Sequence, residues 1–275
     1  MTTASFGRLV RFRAKNGTIY YGEVESQELI TKESLAGAEV TVYNGLSLWD
    51  ESWKITSERQ IIKEVLCPLD STPIIHCIGV NYRKHAAESN LTVGPNTVAF
   101  IKPADTLAGP FEDIHVNSEC TWMDYEAELS FIIGRDCKNA TTENALDYIL
   151  GYTVGNDVSS RYWQMPERSG HQHGAAKGFD KFAPIGPVIV SPRILGDPHN
   201  LGMTTKVNGV VRQQTNTDDM IFQIPSIIQH LSRGTTLRRG TVVMTGTPSG
   251  VAAFMKPQAW LNNGDVVEVE IDSIG

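Results

Sequence analysis

Asp124-Tyr-Glu126-Ala-Glu128-Leu-Ser130-Phe-Ile-Ile-Gly134 is the stretch of this 275-residue chain whose reading decides the fold. Successive side chains of a strand point to opposite faces, so Glu126, Glu128 and Ser130 share one side while Ala127, Leu129 and Phe131 share the other. The apolar side is the core side. The opposite side then points two carboxylates the same way, about 6–7 Å apart. A solvated face is the ordinary explanation of an isolated Glu-x-Glu. Here the run continues directly into Phe-Ile-Ile-Gly, which reads as buried. Two like charges about 4 Å apart, at an effective dielectric of about 20, repel by roughly 4 kcal/mol. A divalent cation removes that cost, and converging hard oxygen ligands select Mg²⁺, Mn²⁺ or Ca²⁺ over zinc.

Outward from this segment, short β-branched runs recur with Gly and Pro between them, at 74–80, 98–101, 127–133, 148–154, 184–190, 204–211, 242–245 and 266–271. Their length and composition predict strands. Helical patterns are fewer: 81–89, 142–149 with Thr141 or Thr142 as cap, and 220–231, the clearest apolar-periodic stretch. Before residue 68, an alternating pattern over 6–43 with a turn at Lys15-Asn16-Gly17 predicts a β-hairpin, whereas 57–66 has helix-like or irregular spacing. Pro68-Leu-Asp-Ser-Thr-Pro73 reads as a linker. The expected class is α+β and β-dominated, with a small β-rich N-terminal domain over 1–70 and a mixed catalytic domain over 71–275.

Composition narrows the function. With 24 Lys+Arg against 31 Asp+Glu the formal charge is −7, so the basic footprint that nucleic acid requires is missing. Cys67, Cys77, Cys120 and Cys137 lie far apart without a C-x-x-C pair, which fits reduced thiols better than a disulfide framework. No apolar run approaches the ~18–20 residues of a membrane span. The start, MTTASFGRLVRFRAK, lacks a continuous apolar h-region and suits a first strand better than a secretory signal. A cytoplasmic location is expected, with a mitochondrial address left open by the arginines in that segment.

Further segments bear on chemistry. In Gly151-Tyr-Thr-Val-Gly-Asn156-Asp157-Val-Ser-Ser-Arg161-Tyr-Trp-Gln164 an apolar run ends in Asn-Asp, so Asp157 either supplies a third carboxylate or serves as an ordinary turn residue. In Asn81-Tyr-Arg-Lys-His85-Ala-Ala-Glu88, His85 and Glu88 are three apart and meet on one helix face. That spacing suits either a surface ion pair or a general base oriented by a carboxylate. Lys177 lies among small residues in Gly174-Ala-Ala-Lys177-Gly178, and Thr245-Gly-Thr247-Pro-Ser-Gly250 is a Gly/Ser/Thr loop without the ending of a phosphate loop. His171-Gln-His173 has no partner at zinc-site spacing and reads as a polar loop near a site entrance.

Taken in order, these segments resemble the fumarylacetoacetate hydrolase superfamily from about Ile74 onward. The resemblance rests on Gly79-Val-Asn-Tyr-Arg-Lys-His85-Ala-Ala-Glu88, Phe100-Ile-Lys-Pro103, Asp124-Tyr-Glu126-Ala-Glu128-Leu, Gly151-Tyr-Thr-Val-Gly-Asn-Asp157-Val-Ser-Ser-Arg161, Lys177-Gly-Phe-Asp, Ile185-Gly-Pro187, Val207-Asn-Gly209, Thr245-Gly-Thr-Pro248 and Asn263-Gly-Asp-Val266. It implies a mixed β-roll catalytic domain, a homodimer, and Mg²⁺ (or Mn²⁺, with Ca²⁺ as a further candidate) held by Glu126, Glu128 and Asp157. By the same matching, His85 is the general base, Glu88 its orienting partner on a lid-like helix, and Lys177 the site lysine. Arg161, Gln164 and Thr247 match substrate contacts. Ser160, Tyr162 and Gly178 depart from the commoner pattern of Ala, Asp and Ser and bear on pocket shape. The sequence stops at Ile274-Gly275, short of the tail relatives carry, which reads as a truncated or deviant terminus. The leading expectation is a hydrolase cleaving a C–C bond in an acylpyruvate or β-diketo acid. Oxaloacetate decarboxylation, or keto–enol tautomerisation or isomerisation, on the same cation is the alternative, and a non-catalytic binding relative is the reading from a different class.

Overall fold

The β-branched and aromatic runs form β1 (Arg8–Ala14), β2 (Ile19–Glu23), β3 (Glu39–Tyr43), β4 (Ile55–Val65), β5 (Ile75–Gly79), β6 (Val98–Lys102), β7 (Leu107–Ala108) and β8 (Met123–Asp124). They continue with β9 (Ala127–Ile133), β10 (Ile149–Asn156), β11 (Ser159–Ser160), β12 (Ala183–Val190), β13 (Gly202–Val207), β14 (Val210–Asn216), β15 (Val242–Met244) and β16 (Val267–Ile271). Helices are short: α1 (Lys32–Leu35), α2 (Arg83–Ser89), α3 (Arg161–Gln164), α4 (Pro166–Ser169), α5 (Gly174–Lys177), α6 (Pro192–Leu195) and α7 (Ile224–Ser232). This computed structural model describes residues 5–25 and 30–275.

The main sheet runs β2-β3-β4-β1-β12-β10-β9-β15-β5-β6, with β7 attached in parallel to β12. The first four strands pair in a closed circuit, since β1 bonds both β2 and β4. β1 also pairs with β12 through Arg8 and Leu9, so backbone bonds join the N-terminal strands to the rest of the sheet. Residues 66–73 have no regular structure, yet Leu69 is buried and the Thr72 hydroxyl donates to the carbonyls of Ile74 and Gly240. A second sheet, β14-β13-β16, and the β8–β11 ribbon complete the β-dominated architecture.

β9 and β10 lie in the middle of the main sheet and every residue of both is buried. The alternation expected of β9 holds: Ala127, Leu129, Phe131 and Ile133 enter the larger apolar core, while Ile132, on the other face, enters a second one. The face carrying Glu128 and Ser130 is therefore also buried. On α7, Ile224, Ile227, Ile228 and Leu231 present one apolar stripe to the core.

Four elements differ from the sequence reading. Residues 57–65 belong to the strand β4, whose largely exposed surface hides the period-two pattern while β3 and β1 pair with its two edges. The run 204–211 is a hairpin: Asn208 and Gly209 both take positive φ, 51° and 75°, as a tight two-residue turn requires. In place of a helix over 142–149 there is one 3₁₀ turn, Ala145–Tyr148, because Ile149 already starts β10. α7 begins at Ile224 rather than near 220, with Pro225 in its first turn, where the missing N–H costs nothing.

Phe131 is fully buried on β9 between β10 and β15. Phe131→Ala is expected to lower the unfolding free energy by about 3–5 kcal/mol, read from urea midpoints at unchanged slope.

Candidate metal and acid–base site

Glu126 sits immediately before β9, Glu128 is its second residue, and Asp157 follows the end of β10. The register pairs Glu128 with Gly155 and Ala127 with Asn156, and the Asp157 amide donates to the Glu126 carbonyl at 2.9 Å. Asn156 Oδ1 accepts the Glu126 amide at 2.9 Å. The sheet thereby brings one oxygen from each of Glu126, Glu128 and Asp157 within 4.8 Å of the others, all three residues buried. Geometry brings together the three carboxylates singled out in the sequence.

Buried carboxylates need partners. Lys177, at the end of α5, donates to Glu126 Oε2 and Asp157 Oδ2, each at 2.7 Å, and to Ser159 Oγ at 2.8 Å. Lys102, at the end of β6, is fully buried; it bonds Asp157 Oδ1 and the carbonyls of Phe182 at 2.6 Å and Val158 at 3.2 Å. Arg161, at the start of α3, donates to Asp124 Oδ2 at 2.8 Å, Gln164 Oε1 at 2.7 Å and Glu126 Oε1 at 2.5 Å. Glu128 has no cation within ion-pair distance among the described residues. Its Oε2 accepts only the Gly246 amide, at 2.6 Å.

These surroundings drive the acids apart. Burial works to raise Glu126, but Lys177 and Arg161 overcome it and hold the carboxyl well below the usual range. Burial, then Asp157 and Glu126, push Glu128 well above it. Burial opposes charge on Lys177, yet Asp157 and Glu126 win and raise its ammonium above the ordinary lysine value. The donor set fits a hard divalent cation. The three carboxylates together offer about twelve lone-pair directions, of which five are taken by hydrogen bonds. Among these acids Glu128 is the one whose charge no cation balances.

His85 and Glu88 also meet, with His85 Nδ1 2.8 Å from Glu88 Oε1 and the imidazole buried. Glu88 is held from behind by the Gly250 amide, 3.1 Å from each of its oxygens. Gly250 lies four residues beyond Gly246, whose amide holds Glu128, so one loop bonds both the imidazole's partner and the acid cluster. α2 follows Val80, which takes φ 52°, an unusual conformation for a β-branched residue, at the turn out of β5. Asn81 anchors this turn with Nδ2 donating to the Thr245 and Phe222 carbonyls at 2.7 and 3.0 Å. Gly246 beside it has φ 102°, and a Cβ there would lie 2.7 Å from Asn81 Cβ.

The remaining expected residues are distributed around this centre. Gln164 links Arg161 to His173, its Nε2 3.1 Å from His173 Nδ1. The His173 ring lies 4.9 Å from that of Phe100, and burial followed by Lys177 lowers its pKa. Thr247 is buried with its hydroxyl accepting from Gln213 Nε2 at 2.9 Å. Sequence reasoning misses Lys102, Asp124 and Gln213 as residues of the site. Lys102 lies in the Phe100-Ile-Lys-Pro103 segment and Asp124 two residues before Glu126, so both had a signal; Gln213, in an ordinary polar strand, had none.

This arrangement, acids clustered against lysines at the centre of a β-dominated fold with an imidazole–carboxylate pair beside them, defines an acid–base site able to hold a metal ion. The profile of the family described as "Fumarylacetoacetate (FAA) hydrolase C-terminal" matches residues 74–275, and the chain belongs to that family. The Xenopus laevis protein "Oxaloacetate tautomerase fahd2, mitochondrial" is 41% identical over 244 residues, 89% of this chain and 76% of its own. The Bos taurus "Oxaloacetate tautomerase FAHD2A, mitochondrial" is 39% identical over 210 residues, 76% and 67% of the two chains. Among solved structures, 2-hydroxyhepta-2,4-diene-1,7-dioate isomerase from Mycobacterium marinum is 31% identical with a TM-score of 0.80, covering 98% of this chain and 95% of that one. No helix among the described residues is long and apolar enough to cross a membrane.

Glu128 supplies a test by its raised pKa. A carboxyl raised in the folded state contributes stability below its unfolded value, near 4.3, and loses it as pH climbs through the raised value. Glu126, lowered, acts in the opposite sense and below that pH. Glu128→Gln is therefore expected to raise the metal-free melting temperature at neutral pH, flatten its decline above about pH 4.3, and abolish any stabilisation by Mg²⁺. Thermal melts from pH 4 to 8, with and without Mg²⁺, check all three.

Proposed function

We propose that this chain interconverts the keto and enol forms of a short 2-oxo dicarboxylic acid of the oxaloacetate class, with Mg²⁺ or Mn²⁺ held by Glu126, Glu128 and Asp157. The observation that carries the reading is the buried His85 ring with one nitrogen committed to Glu88. A carboxylate can only accept, so Nδ1 carries the proton and Nε2 of the neutral ring keeps its lone pair. Such an imidazole beside a cation site is suited to moving a proton on a carbon next to a carbonyl. The tautomerase and isomerase names borne by the relatives favour this reaction class.

In the proposed reaction His85 Nε2 takes a proton from C3 of the keto acid; the C–H pair becomes the C2=C3 bond and the carbonyl pair moves to O2. Glu88 stabilises the resulting imidazolium, which returns its proton to O2 to complete the enol. Lys177 remains an ammonium because two carboxylates raise its pKa, so it serves as a cation near developing oxyanion charge rather than as a base. When bound, a divalent ion supplies Lewis-acid polarisation of the 2-oxo group. Four carboxylates, Asp124, Glu126, Glu128 and Asp157, face three cations, Lys102, Arg161 and Lys177, for a net −1. A dication turns this to +1, the sign a dicarboxylate needs, and Arg161, Gln164 and Thr247 are the proposed contacts for it.

A second reading is supported by the hydrolase name of the family: the same His85–Glu88 pair deprotonates water, which attacks an acylpyruvate and cleaves its C–C bond. One panel separates the two. With Mg²⁺ and not with EDTA, the enol absorbance of oxaloacetate is expected to relax faster than in buffer, and His85→Ala is expected to slow that relaxation about 10²–10⁴-fold. Cleavage of an acylpyruvate series without tautomerisation of oxaloacetate would transfer the assignment to the hydrolase, loss of oxaloacetate as CO₂ would transfer it to a decarboxylase, and an unimpaired His85→Ala would remove His85 as the base.

A further inference from the structure

We infer that Gln213 is a positioning residue of the site: its single amide fixes the 245–253 loop to the carboxylate strand, setting Glu128 and the His85–Glu88 pair in one register. The inference rests on the reading of the three carboxylates as a cation site.

Gln213 lies on β14, in the small sheet, and only 1% of it is exposed. Its amide has two acceptor positions and two donors, and all four are used. Oε1 accepts the Ala127 amide at 3.1 Å and the Thr205 hydroxyl at 2.9 Å. Nε2 donates to Thr247 Oγ1 at 2.9 Å and to the Pro248 carbonyl at 3.0 Å. The partners fix the orientation, since a flipped amide would set an oxygen against the Pro248 carbonyl and an N–H against the Ala127 N–H.

The location of those partners distinguishes this residue from an ordinary satisfied core amide. Ala127 is the residue between Glu126 and Glu128. Thr247 follows Gly246, whose amide holds Glu128, and Gly250, two residues beyond Pro248, holds Glu88. Asp124 fastens the far end of the same loop by accepting the amides of Ala252 and Ala253 at 2.8 and 3.1 Å. Gln213 thus ties the backbone between the two glutamates to the middle of the loop that braces the imidazole's partner, between the Thr245–Leu129 bonds at the loop's start and Asp124 at its far end. Groups of this kind, outside the ligands but bonded to what orients them, typically change metal affinity or activity about 10–100-fold when removed. A shift of about 1 Å in a reacting group has a comparable effect on rate.

The test uses the full chain with Gln213→Leu, Thr247→Val, Thr247→Ser and the Gln213→Leu/Thr247→Val pair, each checked for a native circular-dichroism spectrum and cooperative melt. Mn²⁺ affinity is read without substrate from the paramagnetic resonance of free Mn²⁺, and kcat and KM are read separately. Gln213→Leu is expected to weaken Mn²⁺ binding and lower kcat by about 10-fold or more, with a smaller change in KM. Thr247→Val is expected to show part of the Mn²⁺ loss, Thr247→Ser to recover it, and the double variant to be no worse than Gln213→Leu. A folded Gln213→Leu within about twofold of the wild type in both Mn²⁺ affinity and kcat overturns the inference. If Gln213→Leu does not fold, the Thr247 pair decides, and Val binding Mn²⁺ as well as Ser overturns it. Wild-type protein that takes up no Mn²⁺ overturns the cation-site reading and this inference together, whereas wild-type binding with indifferent variants overturns the inference alone.

Discussion

Glu126, Glu128 and Asp157 lie at the ends of two strands that have no solvent-facing side, with Asp124 of β8 beside them, and the arrangement of the surrounding segments follows from that. β9 and β10 are buried along their whole length, and Asp124, Glu126, Glu128 and Asp157 are all buried with them. Ionised groups in such a place persist only with charge-assisted partners. The chain brings them from three separate elements: Lys102 from β6 at the sheet edge, Arg161 from α3 and Lys177 from α5. Helices α3 and α5 have one turn each, too short to be stable on intrinsic propensity. Their basic residues are held by the acids as much as the acids are held by them.

The loop after β15 transmits this constraint to α2. Thr245 is fixed by its amide and hydroxyl to the Leu129 carbonyl, Gly246 reaches Glu128, Gly250 reaches Glu88 and accepts from Tyr125, and Ala252 and Ala253 reach Asp124. Only glycine suits 246, where positive φ coincides with close approach to Asn81. The imidazole pair is thus referenced to the acids through backbone amides rather than through its own short helix, which is held to α7's approach by Asn81 and Arg83.

How far the sequence reveals this depends on whether a signal is local. The parity of Glu126, Glu128 and Ser130 is a property of one strand and can be read directly. His85 and Glu88, three apart on one helix, are equally local. Asp157 is ambiguous from spacing, because an Asn-Asp after a strand is commonly a turn, and only the β9–β10 register shows it facing Glu126. Lys102 lies in a legible segment, but its role rests on a contact with Asp157 that is 55 residues away, and Gln213, whose contact with Thr247 spans 34, has no local signal at all. The misread elements have local causes as well. β4 turns most of its side chains to solvent, so alternation is weak, and the Asn208-Gly209 turn lies inside what looks like one continuous β-branched run.

The charge balance also bears on why the two proposed reactions, tautomerisation and bond cleavage, call on the same residues. Among the cationic groups here, Lys177 and Lys102 are committed to acids, and Lys177 is held as an ammonium. Proton movement on the proposed reading then falls to His85, whose Nδ1 is fixed by Glu88 and whose Nε2 keeps a lone pair for the transfer. An imidazole so placed does not choose its proton source: a carbon-bound hydrogen gives an enol, and a water gives a hydroxide. On that reading the choice lies with what the surrounding shape admits beside His85, and that surround includes the Gln164–His173 contact, with the His173 ring tilted against Phe100. On the proposed reading the buried charges near β9 and β10 set the chemistry, while the residues of α3 to α5 that surround them set what can enter.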